Sequence, residues 1–114
     1  MNGGDHLFVY GTLRRSVDNE MSRFLAGVSD FVGPGCVRGV LVQLTGYTGL
    51  TIPTSPGEGE WIVGEVSRLR DPGSAWPVLD DYEGYEFTRQ ILSVLLDGGG
   101  TISASAYVYR SLAK

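Results

Sequence analysis

One cysteine, Cys36, and one histidine, His6, are the whole supply of those residue types in 114 residues. A lone cysteine closes no internal disulfide, which fits a reducing compartment. A catalytic zinc takes three protein ligands, and these two residues at unrelated positions do not make such a site. Any Ser-His-Asp or Cys-His arrangement would need His6 as its base, and neither His6 nor Cys36 lies in a supporting motif. Long apolar runs are missing, as is a basic-plus-apolar leader. Neither a membrane span nor a signal peptide is expected, and a cytoplasmic location is. Lysine and arginine number 9 against 13 aspartates and glutamates, a net charge of −4, and the basic residues do not cluster. The chain therefore carries no electrostatic footprint for nucleic acid or for an anionic membrane. It has no glycine-rich phosphate loop with Lys and Ser/Thr, no dinucleotide fingerprint and no repeat of 20 to 50 residues. Neither a metal nor an organic cofactor is expected.

What is present describes one globular domain over residues 1–114, with 1–5 as a loose N-terminus. Hydrophobic residues make up 42% and charged residues 19%, enough to build a core without staples. The 17 glycines imply many tight turns. Val, Ile, Tyr and Thr dominate the remaining runs and favour sheet over helix.

Along the chain, Leu7-Phe8-Val9 is a continuous apolar run, the pattern of a strand buried on both faces. Asp18 or Asn19 can cap a helix in which Met21, Phe24, Leu25 and Val28 share a face, ending near Gly27. Phe31 to Gly35 carries turn chemistry and reads as a link. Gly35 to Leu44 reads as a strand with apolar residues on both faces. Gly46 to Pro53 is broken by its glycines and stopped by Pro53, and Thr54 to Glu60 is a polar loop. Trp61 to Leu69 is a further strand, in which Gly64 signals a bulge or a close backbone approach. Asp71-Pro72 can start a helix. Pro77 implies that it starts late, near Ser74 to Trp76, or is kinked. Trp76, Val78, Leu79 and Tyr82 are expected to face the core, and Gly84 ends the segment. Tyr85 to Leu96 and Thr101 to Arg110 form a strand pair around the Asp97-Gly98-Gly99-Gly100 turn. Five or more strands with two short helices make an α+β fold. The tight turn between the late strands argues against parallel βαβ winding.

Two stretches carry candidate chemistry. The first strand ends at Gly11, and Thr12, Leu13 and Arg14 come next. A strand that breaks at a glycine presents main-chain N–H groups without ladder partners, and such groups form a concavity for an anion. An ordinary turn after a strand is the alternative. Asp80-Asp81-Tyr82-Glu83-Gly84-Tyr85-Glu86 holds four acids in seven residues, bracketed by aromatics. Like charges this close disfavour ionising all of them, and a Glu beside tyrosine rings at a helix end is placed to be partly desolvated. Both effects raise a carboxyl pKa towards the range useful for proton transfer. A solvated acidic turn is the alternative.

These residues resemble the gamma-glutamylcyclotransferase-like family. Leu7-Phe8-Val9-Tyr10-Gly11-Thr12-Leu13-Arg14 is similar to its opening signature. Leu79-Asp80-Asp81-Tyr82-Glu83-Gly84-Tyr85, with Arg89 following, is similar to its central one. Tyr47-Thr48-Gly49-Leu50, Val63-Gly64-Glu65-Val66 and Ala106-Tyr107-Val108-Tyr109 appear in matching order. Thr48 stands where the family often carries Pro. The resemblance implies a small, mostly antiparallel β-barrel with flanking helices and a cavity at one side. It also implies a reaction, attack of the α-amine of a γ-glutamyl group on its own γ-carbonyl. The products are 5-oxoproline and a released amine or amino acid. Glu83 corresponds to the general acid/base, and the turn at Tyr10, Gly11, Thr12 and Leu13 to the substrate-binding loop.

The chemistry suits the inventory. An intramolecular attack needs no metal and no protein nucleophile, only a correctly folded substrate, a proton carrier and an anchor for the α-carboxylate. Unpaired N–H groups at Gly11, Thr12 and Leu13 are the anchor candidates. Tyr10, Tyr107 and Tyr109 are available as hydroxyl donors to an oxyanion or as packing in the barrel; Tyr10 and Tyr107 are counted with the substrate-binding residues. Asp80 is read as making helix-end or loop hydrogen bonds and Asp81 as solvated, with Arg89 pairing with one of these acids. The competing readings are a binding module for a small acidic metabolite in the same cavity and hydrolysis of a γ-glutamyl-type amide. An interaction scaffold would need a large exposed apolar patch, which the sequence does not display.

Overall fold

The structure, a computed structural model, describes residues 5–10, 20–44, 47–52, 59–84 and 86–109. In chain order the elements are β1 (His6–Val9), α1 (Glu20–Val28), β2 (Ser29–Leu44), β3 (Tyr47–Thr51), β4 (Glu60–Leu69), α2 (Pro72–Glu83), β5 (Phe87–Leu96) and β6 (Thr101–Tyr109). The strands lie in the order β3-β2-β4-β1-β6-β5, and a further β2–β5 pairing closes five of them into a barrel with β3 attached outside the ring. The β1–β6 pairing is parallel, while β4 and β6 each run antiparallel to their other neighbours. This is the α+β barrel with two helices expected from the sequence.

Alternation along the strands sorts the core into two clusters. Phe8, Val37, Leu50, Ile62, Val66 and Val94 fill the barrel. Leu7, Val9, Leu69 and Tyr107 point the other way and pack with Leu25 of α1 and Ala75 and Leu79 of α2. The short strand β1 thus feeds both clusters, which is why its three apolar residues are consecutive and all buried. Gly64 lies against β1. A Cβ there would run into the Val9 carbonyl oxygen and the Phe8 ring, so the close approach expected at this glycine is present.

Several expectations change. Phe31 to Gly35 is not a link; β2 runs straight through it. A register shift between Phe31 and Gly33 absorbs one extra residue, and the Pro34 carbonyl accepts the Asp97 N–H at 3.0 Å, so the prolyl peptide still contributes to the sheet. Tyr47–Thr51, read as a broken stretch, forms β3 against β2. Helix α2 starts at Pro72 and continues through Pro77. The N–H missing at Pro77 leaves only the carbonyl of Gly73 without a helical donor, and Gly73 is exposed to water. Val78 and Tyr82 do not face the core; they are 40% and 45% exposed. Trp76 and Leu79 do face it, as expected, and Asp80 on the same side of the helix reaches β5 and β6. The late strands begin and end slightly inside the expected limits, and the Asp97–Gly100 turn joins them with positive φ at Gly99 and Gly100.

The sequence also concealed an apolar surface. The helices cover the β1 side of the barrel, while the outer face of β4, β2 and β5 carries Trp61, Val63, Ile91 and Leu95, with Val63 67% exposed. A hollow of about 360 Å³ opens on this face among Arg38, Trp61, Leu92 and Leu95. Tyr10, Glu83 and Tyr107 do not line it, so it is separate from the corner that Glu83 occupies.

Candidate active site

The site is built where α2 ends over the rim of the barrel. Gly84 closes the helix with φ 84° and donates its N–H to the Asp80 carbonyl at 3.0 Å. A residue with a Cβ adopts that φ at a cost; glycine does not. Glu83, the last helical residue, is held half-buried by this stop. Burial pushes its carboxyl up to about 7, because removal from water disfavours the charged form.

Two tyrosines share the corner with Glu83. Tyr10 comes directly after β1, stacks on Phe8 with ring centres 6.4 Å apart, and spans the barrel end with its hydroxyl. That hydroxyl donates to the Tyr107 carbonyl at 2.9 Å and accepts the Leu50 N–H at 3.0 Å. It therefore joins β1, β6 and β3 at one point. The Tyr10 phenol is pushed up to about 12, chiefly by burial, against the opposing effect of the Leu50 N–H and with a smaller contribution from the charge of Glu83. Tyr107 is also raised, first by burial and then by Asp80, and it too feels the charge of Glu83. Glu83 thus acts on both hydroxyls, which brings together three of the residues singled out in the sequence.

Tyr107 donates to Asp80 Oδ1 at 2.6 Å. Arg89, its cross-strand partner on β5, places Nη1 3.5 Å from the same oxygen and stacks its guanidinium 4.2 Å from the Trp76 ring centre. Arg89 therefore pairs with Asp80, as expected of one of the acids, and Asp81 is exposed. Both tyrosine hydroxyl hydrogens are engaged within the protein. Of the two roles left open for these tyrosines, the structure shows packing for Tyr107, which is 5% exposed within the core. Tyr109 packs edge-on against Phe87 with ring centres 5.8 Å apart. Gly11, Thr12 and Leu13 lie outside the described residues. His6 and Cys36 do not meet: they sit on different strands, His6 opposite Arg68 and Cys36 opposite Val63 and Leu95. His6 instead places Nδ1 2.9 Å from Asp5.

Sequence reasoning missed the reach of Asp80 and the role of Trp76 as a platform for Arg89. Helical spacing carried the signal: Trp76, Asp80 and Glu83 are separated by four and three residues and share a side of α2. The Leu50 N–H had no such signal, since only tertiary folding brings β3 to Tyr10.

The pattern of the family described as gamma-glutamyl cyclotransferase, AIG2-like, matches residues 7–114, spanning every element that builds this corner. The chain belongs to that family. Among solved structures, an AIG2-like protein from Mus musculus is similar, with 24% identity and a TM-score of 0.71 over 96% of this chain and 79% of the mouse chain. YkqA from Bacillus subtilis matches with 25% identity and a TM-score of 0.71 over 96% of this chain but only 36% of its own. A structure described as gamma-glutamyl cyclotransferase matches with 18% identity and a TM-score of 0.67 over 94% of this chain and 67% of that one. No curated protein matches the chain in sequence. Among the described residues, no helix of this AIG2-like chain is long and apolar enough to cross a membrane.

Proposed function

We propose that this AIG2-like protein is a gamma-glutamyl cyclotransferase: it cyclises a γ-glutamyl amide to 5-oxoproline and releases the amine, with Glu83 as the proton carrier. The observation that carries this reading is the half-buried Glu83 carboxyl at the end of α2, pushed up to about 7 by that burial, close enough to Tyr10 and Tyr107 for its charge to act on both. A carboxyl at about 7 exchanges protons in both directions at working pH, which one group serving first as base and then as acid requires.

Ionised Glu83 takes a proton from the α-ammonium, and the freed amine attacks the γ-carbonyl carbon. The C–N bond that closes the five-membered ring forms as the carbonyl π pair moves onto oxygen. Glu83 then returns its proton to the leaving nitrogen. The C–N bond to that nitrogen breaks as the carbonyl re-forms, and the ring nitrogen loses its second proton, which ends on the released amine. Holding the substrate folded, with amine and carbonyl in contact, supplies much of the acceleration. The main-chain amides of Gly11, Thr12 and Leu13, next in the chain after Tyr10, are assigned the α-carboxylate. Tyr10, half-buried, is assigned a wall beside the glutamyl chain, with Tyr107 buried behind it.

The test is a panel of γ-glutamyl amides, with amino acid, peptide and simple amine leaving groups, assayed for both products. Formation of 5-oxoproline with stoichiometric amine supports the reading. Free glutamate would indicate hydrolysis instead, and ligand binding without either product would indicate a binding module.

A further inference from the structure

We propose that Asp80 is a positioning residue: by holding Tyr107 and Arg89 it clamps the last turn of α2, and with it Glu83, onto the β5–β6 face. The proposal rests on the reading of Glu83 as proton carrier and concerns what holds that residue in place. Arg89 and Tyr107 oppose each other in register, so both side chains leave the same face of the sheet. Asp80 reaches down onto both, accepting the Tyr107 hydroxyl at 2.6 Å with Arg89 at 3.5 Å. Trp76, one turn earlier, lies under the same guanidinium. Two consecutive turns of α2 are thus tied to one spot on the sheet, and Glu83 sits in the next turn.

The apolar grip of α2 lies further back, at Ala75 and Leu79. Beyond Leu79, the Asp80 carboxylate ties the helix to the sheet. Loss of this tie loosens the last turn of α2 and lets water reach the Glu83 carboxyl more readily. Of the titratable groups packed at this corner, Tyr10 after β1 and Tyr107 on β6 feel the Glu83 charge directly, and Asp80 on α2 and Arg89 on β5 meet at Tyr107. Asp80 does not act on Glu83 mainly through charge, since burial is the cause of the Glu83 shift. It acts by keeping Glu83 covered.

The experiment is a carbon-13 titration of the Glu83 carboxyl in the full chain, alongside the pH profile of kcat/KM for 5-oxoproline formation. In Asp80→Ala the Glu83 midpoint should fall from about 7 by about one pH unit or more, towards the ordinary carboxylate range. The acid limb of kcat/KM should move with it, while kcat drops on the order of tenfold and KM changes little. Asp80→Asn keeps an acceptor for Tyr107 and should hold the midpoint near its original value. Tyr107→Phe keeps the ring packing, removes only the donor, and should reproduce the fall even if Asp80→Ala does not fold. A Glu83 midpoint unmoved in Tyr107→Phe, or an equal fall in Asp80→Asn and Asp80→Ala, would overturn the proposal. Absence of 5-oxoproline would count against the cyclotransferase reading alone, because the carboxyl titration needs no substrate.

Discussion

Replacing Glu83 by Gln should make the protein more stable, and only at the pH where the enzyme would work. The Glu83 carboxyl is pushed from 4.5 to about 7 by burial. Below pH 4.5 it is protonated in the folded and unfolded chains alike and contributes no difference. Between 4.5 and 7 the folded protein keeps a proton that the unfolded chain has released, so stability falls as pH rises. Above 7 both are ionised and the full cost of burying the charge is present. At about 1.4 kcal/mol per tenfold change in proton affinity, that cost is on the order of 3 kcal/mol. Glu83 keeps part of its surface in water, which reduces the expected figure to about 2 kcal/mol. Glutamine has the same shape and never ionises. Urea unfolding of the wild type and Glu83→Gln, at about pH 5 and about pH 8.5, isolates the effect, because the other acids are common to both proteins and cancel. The variant's advantage should grow by about 2 kcal/mol between the two pH values. An equal offset at both, or a loss of stability confined to high pH, would refute the argument that burial raises this carboxyl.

Catalysis should have the opposite pH sign: the base form of Glu83 exists above about 7, so kcat/KM should fall roughly tenfold per pH unit below that midpoint, as read from initial rates. Gly64→Ala should destabilise the barrel by about 1–3 kcal/mol or more, since the new methyl meets the Val9 carbonyl, a backbone atom that cannot swing away; a thermal melt measures it. Tyr10→Phe leaves the Leu50 N–H and the Tyr107 carbonyl without their partner. It should cost about 1–3 kcal/mol and speed hydrogen exchange at the Leu50 amide.

Individual strands and turns were legible wherever local pattern decides structure; their closure into a barrel was implied only by the family resemblance. The apolar run of β1, the Gly84 stop of α2, and the glycine turn between β5 and β6 each announce themselves within a few residues. Long-range packing was not legible. Pro34 and its flanking glycines look like a turn until β4 and β5 are seen to give that stretch partners on both sides. Pro77 looks like a break until the exposed Gly73 is seen to bear its consequence. The face of α2 that is buried, Ala75 and Leu79 with Val78 and Tyr82 left exposed, is set by packing against residues far away in the chain. The apolar face at Trp61 and Val63 escaped notice because alternation marks two faces of a strand without saying which one the helices cover. At the site, the partial burial that raises the Glu83 carboxyl was legible from its place beside aromatics at a helix end, whereas the like charge of its acidic neighbours, also expected to raise it, is not a cause of the shift. The use of both tyrosine hydroxyls inside the protein was not legible, because their acceptors, the Tyr107 carbonyl and Asp80, depend on how the strands and α2 meet.

The most direct measurement of the central claim tracks 5-oxoproline release from a γ-glutamyl amide by the wild type and by Glu83→Gln, with binding of the same substrate to the variant measured by calorimetry. Wild-type turnover, with a variant that binds comparably and forms product at least about a hundredfold more slowly, is the expected result, the order of magnitude usual for a lost proton carrier. A variant that makes 5-oxoproline at the wild-type rate would contradict the assignment of Glu83.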